Sequence, residues 1–143
     1  KVPSALGGEC DALAVAEDGA LLAIEVKPAK ATAGIAFAPL QVRHYANLFK
    51  EWAKQTADAP AILQAMVEQR VQLGLIEENN KPVVSPDVPV RPVIAIGRGY
   101  GETALGRLRQ VQQRLIDAGL DDPPMVVGAV SISGRFDPIP MKA

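Results

Sequence analysis

Apolar and polar positions fall into blocks along this chain. Cys10 to Ala16 and Ala20 to Lys27 are rich in Val, Ile, Leu and Ala and predict two strands. Glu17-Asp18-Gly19 between them predicts a three-residue hairpin loop, with Gly19 supplying the positive φ that such a loop needs. Pro28 to Pro39 is Ala- and Gly-rich without a steady period and reads as a loop. A helix is predicted from about Pro39, in a first-turn position, to about Gln55, with Tyr45, Leu48, Phe49 and Trp52 as its apolar stripe. A second amphipathic helix is predicted over Ala61 to Leu75, with Ile62, Met66, Val67, Val71 and Leu75 as core positions.

Glu77 to Pro92 is polar and holds four prolines, which predicts a surface connection without regular structure. Val93 to Gly97 reads as a buried strand, Glu102 to Ala118 as a helix closed by Gly119, and Met125 to Ile132 as a last strand. Lys1 to Gly8 and Ser133 to Ala143 read as irregular ends. The order β-β-α-α-β-α-β predicts a mixed central sheet flanked by helices, an α/β or α+β fold.

Size and charge narrow the picture. At 143 residues, 1–143 reads as a single domain that needs no covalent staples. The chain opens on Lys1 rather than Met and is read as a fragment of a longer protein. One cysteine excludes an internal disulfide and fits a cytoplasmic location. No apolar run approaches the roughly 18 residues of a membrane span, so no membrane association is expected. A net charge of −1 argues against attachment to nucleic acid by bulk electrostatics.

The charges within the hairpin carry the chemistry. With Ala16 opposite Ala20, Asp11 is predicted opposite Glu25 and Glu9 opposite Lys27, and opposed residues of an antiparallel pair share a face. Alternation puts Glu25 and Lys27 on one face and Ile24 and Val26 on the other. Asp11, Glu25 and Lys27 are therefore expected together, with the two acids about 4.5–5.5 Å apart at Cβ. Such a pair repels itself unless a cation lies between, and Mg²⁺ is held by one or two carboxylates plus waters and substrate phosphate.

Asp11 followed by Glu25-Val26-Lys27 resembles the active-site hairpin of the PD-(D/E)xK, or restriction-endonuclease-like, nuclease superfamily. The wording GECDALAV…LLAIEVK is similar to Holliday-junction resolvases of that group. Fourteen residues past Lys27, Gln41-Val42-Arg43-His44-Tyr45 resembles the Gln-x-x-x-Tyr helix motif of its RecB-type, lambda-exonuclease-like branch. The resemblance covers roughly the first third of the chain. It implies a restriction-endonuclease-like core whose opening helix is missing or lies outside this sequence, so the acidic set is incomplete unless Glu9 substitutes.

The resemblance further implies Mg²⁺-dependent phosphodiester hydrolysis of DNA, with Mn²⁺ able to substitute. Asp11, Glu25 and the Val26 carbonyl would bind metal, while Lys27 orients or activates the nucleophile and Gln41 supports metal or substrate. Tyr45 and Arg43 would contact substrate, and Lys30 would meet a phosphate from the loop over the site. Association with itself or with other domains of a larger protein is expected. The competing expectation is a nuclease fold without turnover that serves as a DNA-binding or subunit-interaction module.

Other motifs carry less. Gly97, Gly99 and Gly101 follow a strand and precede a helix, but their spacing is wrong for dinucleotide binding and the next strand, around Met125 to Ile132, ends without the acidic residue that would hold a ribose. One Cys and one His, His44, cannot build a zinc site or a catalytic triad. Arg98, Arg107, Arg109 and Arg114 could line a DNA backbone, although helix charges most often form a solvated face.

Overall fold

A computed structural model describes residues 9–120, 122–129 and 135–141. The elements are β1 (Ala12–Val15), β2 (Leu21–Lys27), α1 (Thr32–Gln55), α2 (Ala59–Gln72), β3 (Val90–Ile96), α3 (Glu102–Asp117), β4 (Met125–Ala129) and β5 (Phe136–Pro138). The strands form one mixed sheet in the order β1-β2-β3-β4-β5. β2, β3 and β4 run parallel, and β1 and β5 pair antiparallel at the two edges. This is the mixed, helix-flanked α+β sheet that the order of elements predicts.

The hairpin loop forms as expected. Gly19 has φ +82°, its N–H donates to the Ala16 carbonyl at 2.9 Å, and the Ala16 N–H donates to the Ala20 carbonyl at 2.9 Å. The ladder then runs from Val15 opposite Leu21 to Ala12 opposite Ile24. Extending that register places Asp11 level with Glu25.

Both core clusters lie on one face of the sheet. Leu21, Ala23, Val90, Ile94, Ile96 and Val126 share it by alternation. α1 and α2 bury Tyr45, Ala46, Leu63 and Val67 against one part of it, and α1 and α3 bury Ile35, Ala38, Val42, Leu105 and Leu108 against another. On the opposite face Val93 and Ala95 are buried, while Val26, Met125 and Phe136 are exposed.

Several expected boundaries move. α1 starts at Thr32, not near Pro39, so the segment read as a loop over the site is mostly helix and Pro39 sits inside it. The reason is burial: Ile35, Ala38, Pro39 and Val42 recur at helical spacing and all face the core. That gain outweighs the donor that proline withholds from the helix ladder. Leu48, expected in the apolar stripe, is exposed, whereas Phe49 and Trp52 do pack on the core.

α2 turns so that Leu63 and Val67 point inward, leaving Ile62 and Met66 exposed, and it ends at Gln72, so Leu75 lies exposed beyond it. The connection read as irregular contains a 3₁₀ turn at Glu78–Asn80, and β3 begins at Val90 with Pro92 inside it. The tail supplies β5, which lines up beside β4 from Ala129 opposite Phe136 to Val127 opposite Pro138. The expected irregular start, Lys1 to Gly8, lies outside the described residues, as does the last part of the strand expected to reach Ile132. No described helix is long and apolar enough to cross a membrane.

Candidate active site

The site forms where the hairpin opens. The Ala16–Ala20 bond fixes which pairs exchange main-chain bonds: Ala14 with Leu22 and Ala12 with Ile24, every second pair along the ladder. Cys10 would come next, opposite Val26. The ladder stops short of it, and the Asp11 carboxylate takes over, its Oδ2 accepting from the Val26 N–H at 2.7 Å. By the same parity the Val26 carbonyl points toward this edge. The chain bends at Asp11, so its side chain closes the hairpin edge instead of standing on the sheet face as the alternation alone predicts.

Glu25 and Lys27 do share the helix-covered face. Glu25 is buried, and the Lys27 ammonium forms an ion pair with its Oε1. Its Oε2 is buried with no hydrogen-bond partner among the described residues. A carboxylate oxygen so placed carries a desolvation cost that no described residue offsets.

α1 roofs this group. A Cβ added at Gly34 would stand 3.5 Å from Cδ of Lys27, so the first turns of α1 press on the lysine stem. Eleven residues on, Tyr45 is buried in the cluster that also holds Cys10. Burial raises the Tyr45 phenol above its ordinary value, and the negative charge of Glu25 adds to the effect. Gly34, Gln41 and Tyr45 lie within about 40° of one another around the helix. The half-buried Gln41 therefore sits on the strip of α1 between the lysine and the hairpin mouth.

Two expected contributors lie apart. The Arg43 guanidinium, about 200° around α1 from Gln41, donates to the carbonyls of Leu120 and Asp122 beyond α3. That takes it out of the group, contrary to its expected part in substrate contact. Lys30 is exposed in the turn between β2 and α1, beside the roof and not on it. Arg109 is likewise engaged, with Glu102 and the Pro140 carbonyl.

Cys10 is the residue that sequence reasoning passed over. Its thiol donates to the carbonyls of Ala12 at 3.3 Å and Ile24 at 3.5 Å, and burial raises its pKa. Strict alternation puts it on the far face from Tyr45. The bend at Asp11 brings it beneath the helix, and only the paired glycines ahead of it hint at such a departure.

Among the described residues no group of three or more His, Cys, Asp or Glu is arranged to hold a metal. The Asp11 carboxylate lies at the hairpin edge against the Val26 N–H, and the Glu25 carboxylate is buried against Lys27; a divalent ion would need both, together with the Val26 carbonyl, water and a substrate oxygen. Set against known proteins, the chain matches no family model, no curated protein and no solved structure.

Proposed function

We propose that this protein hydrolyses phosphodiester bonds in DNA with a divalent cation, Mg²⁺ or Mn²⁺. The unpartnered, buried Oε2 of Glu25 carries this reading: a carboxylate half neutralised by Lys27 leaves one oxygen that needs a positive partner. Asp11 has a second carboxylate oxygen beyond the one held by Val26, and its register brings it level with Glu25. The resemblance of Asp11…Glu25-Val26-Lys27 and Gln41-x-x-x-Tyr45 to PD-(D/E)xK nucleases supports the same reading.

A bound divalent ion supplies Lewis-acid polarisation of the phosphoryl group. Glu25 and Asp11, with the Val26 carbonyl, hold it. Lys27, roofed by α1 and paired with Glu25, orients the attacking water and offsets charge that builds on the phosphate. Gln41 presents an amide from the same roof, and Tyr45 keeps the hairpin mouth in place beneath it. Oligonucleotide cleavage with Mn²⁺, alongside calorimetric Mn²⁺ titration, tests this. Glu25→Gln and Asp11→Asn are each expected to lose both cleavage and metal binding, and unchanged activity in either would defeat the proposal.

The closed Lys27–Glu25 pair favours a second reading, a nuclease-like module without turnover, because amine and carboxylate already satisfy each other in part. That module would bind DNA with steep salt dependence and show no Mn²⁺ heat.

A further inference from the structure

Among the described residues β1 is an edge strand, and the hairpin parity decides what its outer edge offers. Ala12 and Ala14 spend their main-chain groups on β2, so Leu13 and Val15 turn theirs outward. Residues two apart on one strand recur at about 6.8 Å, the spacing at which another extended chain presents matching groups. Ala-Leu-Ala-Val carries no charge, proline or bulge, the usual devices that blunt an edge.

This edge does not face open solvent. A cleft of about 660 Å³ runs along it, and its far wall is α2. Leu13 and Val15 line one side, Leu63, Met66 and Val67 the other, and Arg70 adds the one cationic group. Leu13 and Met66 are 40% and 49% exposed, so the apolar walls stay accessible. Arg70 has no ion pair or side-chain hydrogen bond among the described residues.

We infer that this cleft takes an extended segment of a partner protein, added as a strand beside β1, with apolar side chains at alternate positions and a carboxylate that meets Arg70. Main-chain bonds to Leu13 and Val15 supply affinity, and α2 selects the side chains on its side of the new strand. The arginine fixes the choice of occupant. A second copy adding its own β1 brings Ala-Leu-Ala-Val, and the carboxylate next to it, Asp11, is already engaged with the Val26 N–H. A nucleic acid strand would lay phosphates along an apolar wall that also carries Asp11. The inference does not depend on the hydrolytic reading: Asp11 borders both, but Leu13, Val15, Met66 and Arg70, which the new strand would meet, have no part in that site.

The probe is a fluorescein-labelled heptapeptide of alternating valine and threonine with one glutamate in place of a threonine, followed by anisotropy and by backbone amide shifts. Saturable binding with shifts centred on Leu13 and Val15 is expected. Arg70→Glu should weaken it at least tenfold and make a lysine-for-glutamate peptide the tighter ligand. Circular dichroism confirms that the variant is folded, and Met66→Glu on α2 gives a second variant with the same expected loss. Several results would overturn the inference: no saturable binding, equal affinity for the two peptides, displacement of the peptide by a single-stranded oligonucleotide, or a concentration-dependent dimer in sedimentation that protects the Leu13 and Val15 amides.

Discussion

Glu25 and Lys27 stand two residues apart on one strand, so their side chains must share a face, and burial turns that spacing into an ion pair. Removing the amine leaves a buried carboxylate without its cation. Lys27→Met is therefore expected to cost about 3–5 kcal/mol at neutral pH, read from urea unfolding. Adding Glu25→Gln to it should recover most of that loss, because the uncompensated charge then disappears.

Tyr45 responds at the other end of the pH scale. Its phenol titrates above its ordinary value of 10.0 in the folded chain, so the folded state favours the neutral ring. Any stability this provides is intact below about pH 10 and lost as pH rises through the higher folded value. The stability of wild type relative to Tyr45→Phe should begin to fall as pH nears 10 and go on falling until pH passes the higher folded value, and a difference independent of pH would contradict this. Glu25, Lys27 and Tyr45 were legible in the sequence because strand and helix periods decide their faces, whereas Asp11 leaves the face that alternation assigns it and turns to the Val26 N–H. Cys10 was not, since it depends on a bend that no period encodes.

The hairpin shows what local signals can specify at the scale of an element. Glu17-Asp18-Gly19 decided the loop type, the loop decided the register, and the register decided which residues oppose each other. Its turn also meets the rest of the chain. A Cβ on Gly19 would lie 2.6 Å from both the Ser85 amide nitrogen and the Val83 carbonyl oxygen. Gly19→Ala should thus destabilise the protein by about 2–5 kcal/mol, from left-handed strain and backbone crowding together.

The start of α1 was not legible, because Gly34 and Pro39 argue locally against a helix. Only the sheet beneath them, which buries Ile35 and Val42, reverses that preference. β5 was hidden for a similar reason. Phe136–Pro138 is short and polar in context, and it becomes a strand by lying against β4.

For the molecule as a whole, both core clusters use one side of the sheet, which leaves Val26, Met125 and Phe136 exposed on the other. An apolar face of this kind binds small hydrophobic dyes. Met125→Thr with Phe136→Ser is expected to lower ANS fluorescence at least twofold, with stability unchanged within about 0.5 kcal/mol. A dye signal that survives both changes would place the dye elsewhere. The α+β architecture could be read from the order of elements, but the gathering of the helices on one side could not. It follows from right-handed crossovers between parallel strands that step one way across the sheet, β2 to β3 to β4, and that spatial order is not written in the order of elements.

The Val26 amide is held by a carboxylate where its neighbours along the strand are held by main chain. Peptide bonds are the same in every variant, whereas an aspartate is one codon away from an asparagine, an alanine or a glutamate. The gap at the end of this hairpin can therefore be widened, narrowed or discharged by single substitutions that leave the ladder behind it untouched. That makes it a natural point at which descendants of one fold could diverge in what they grip.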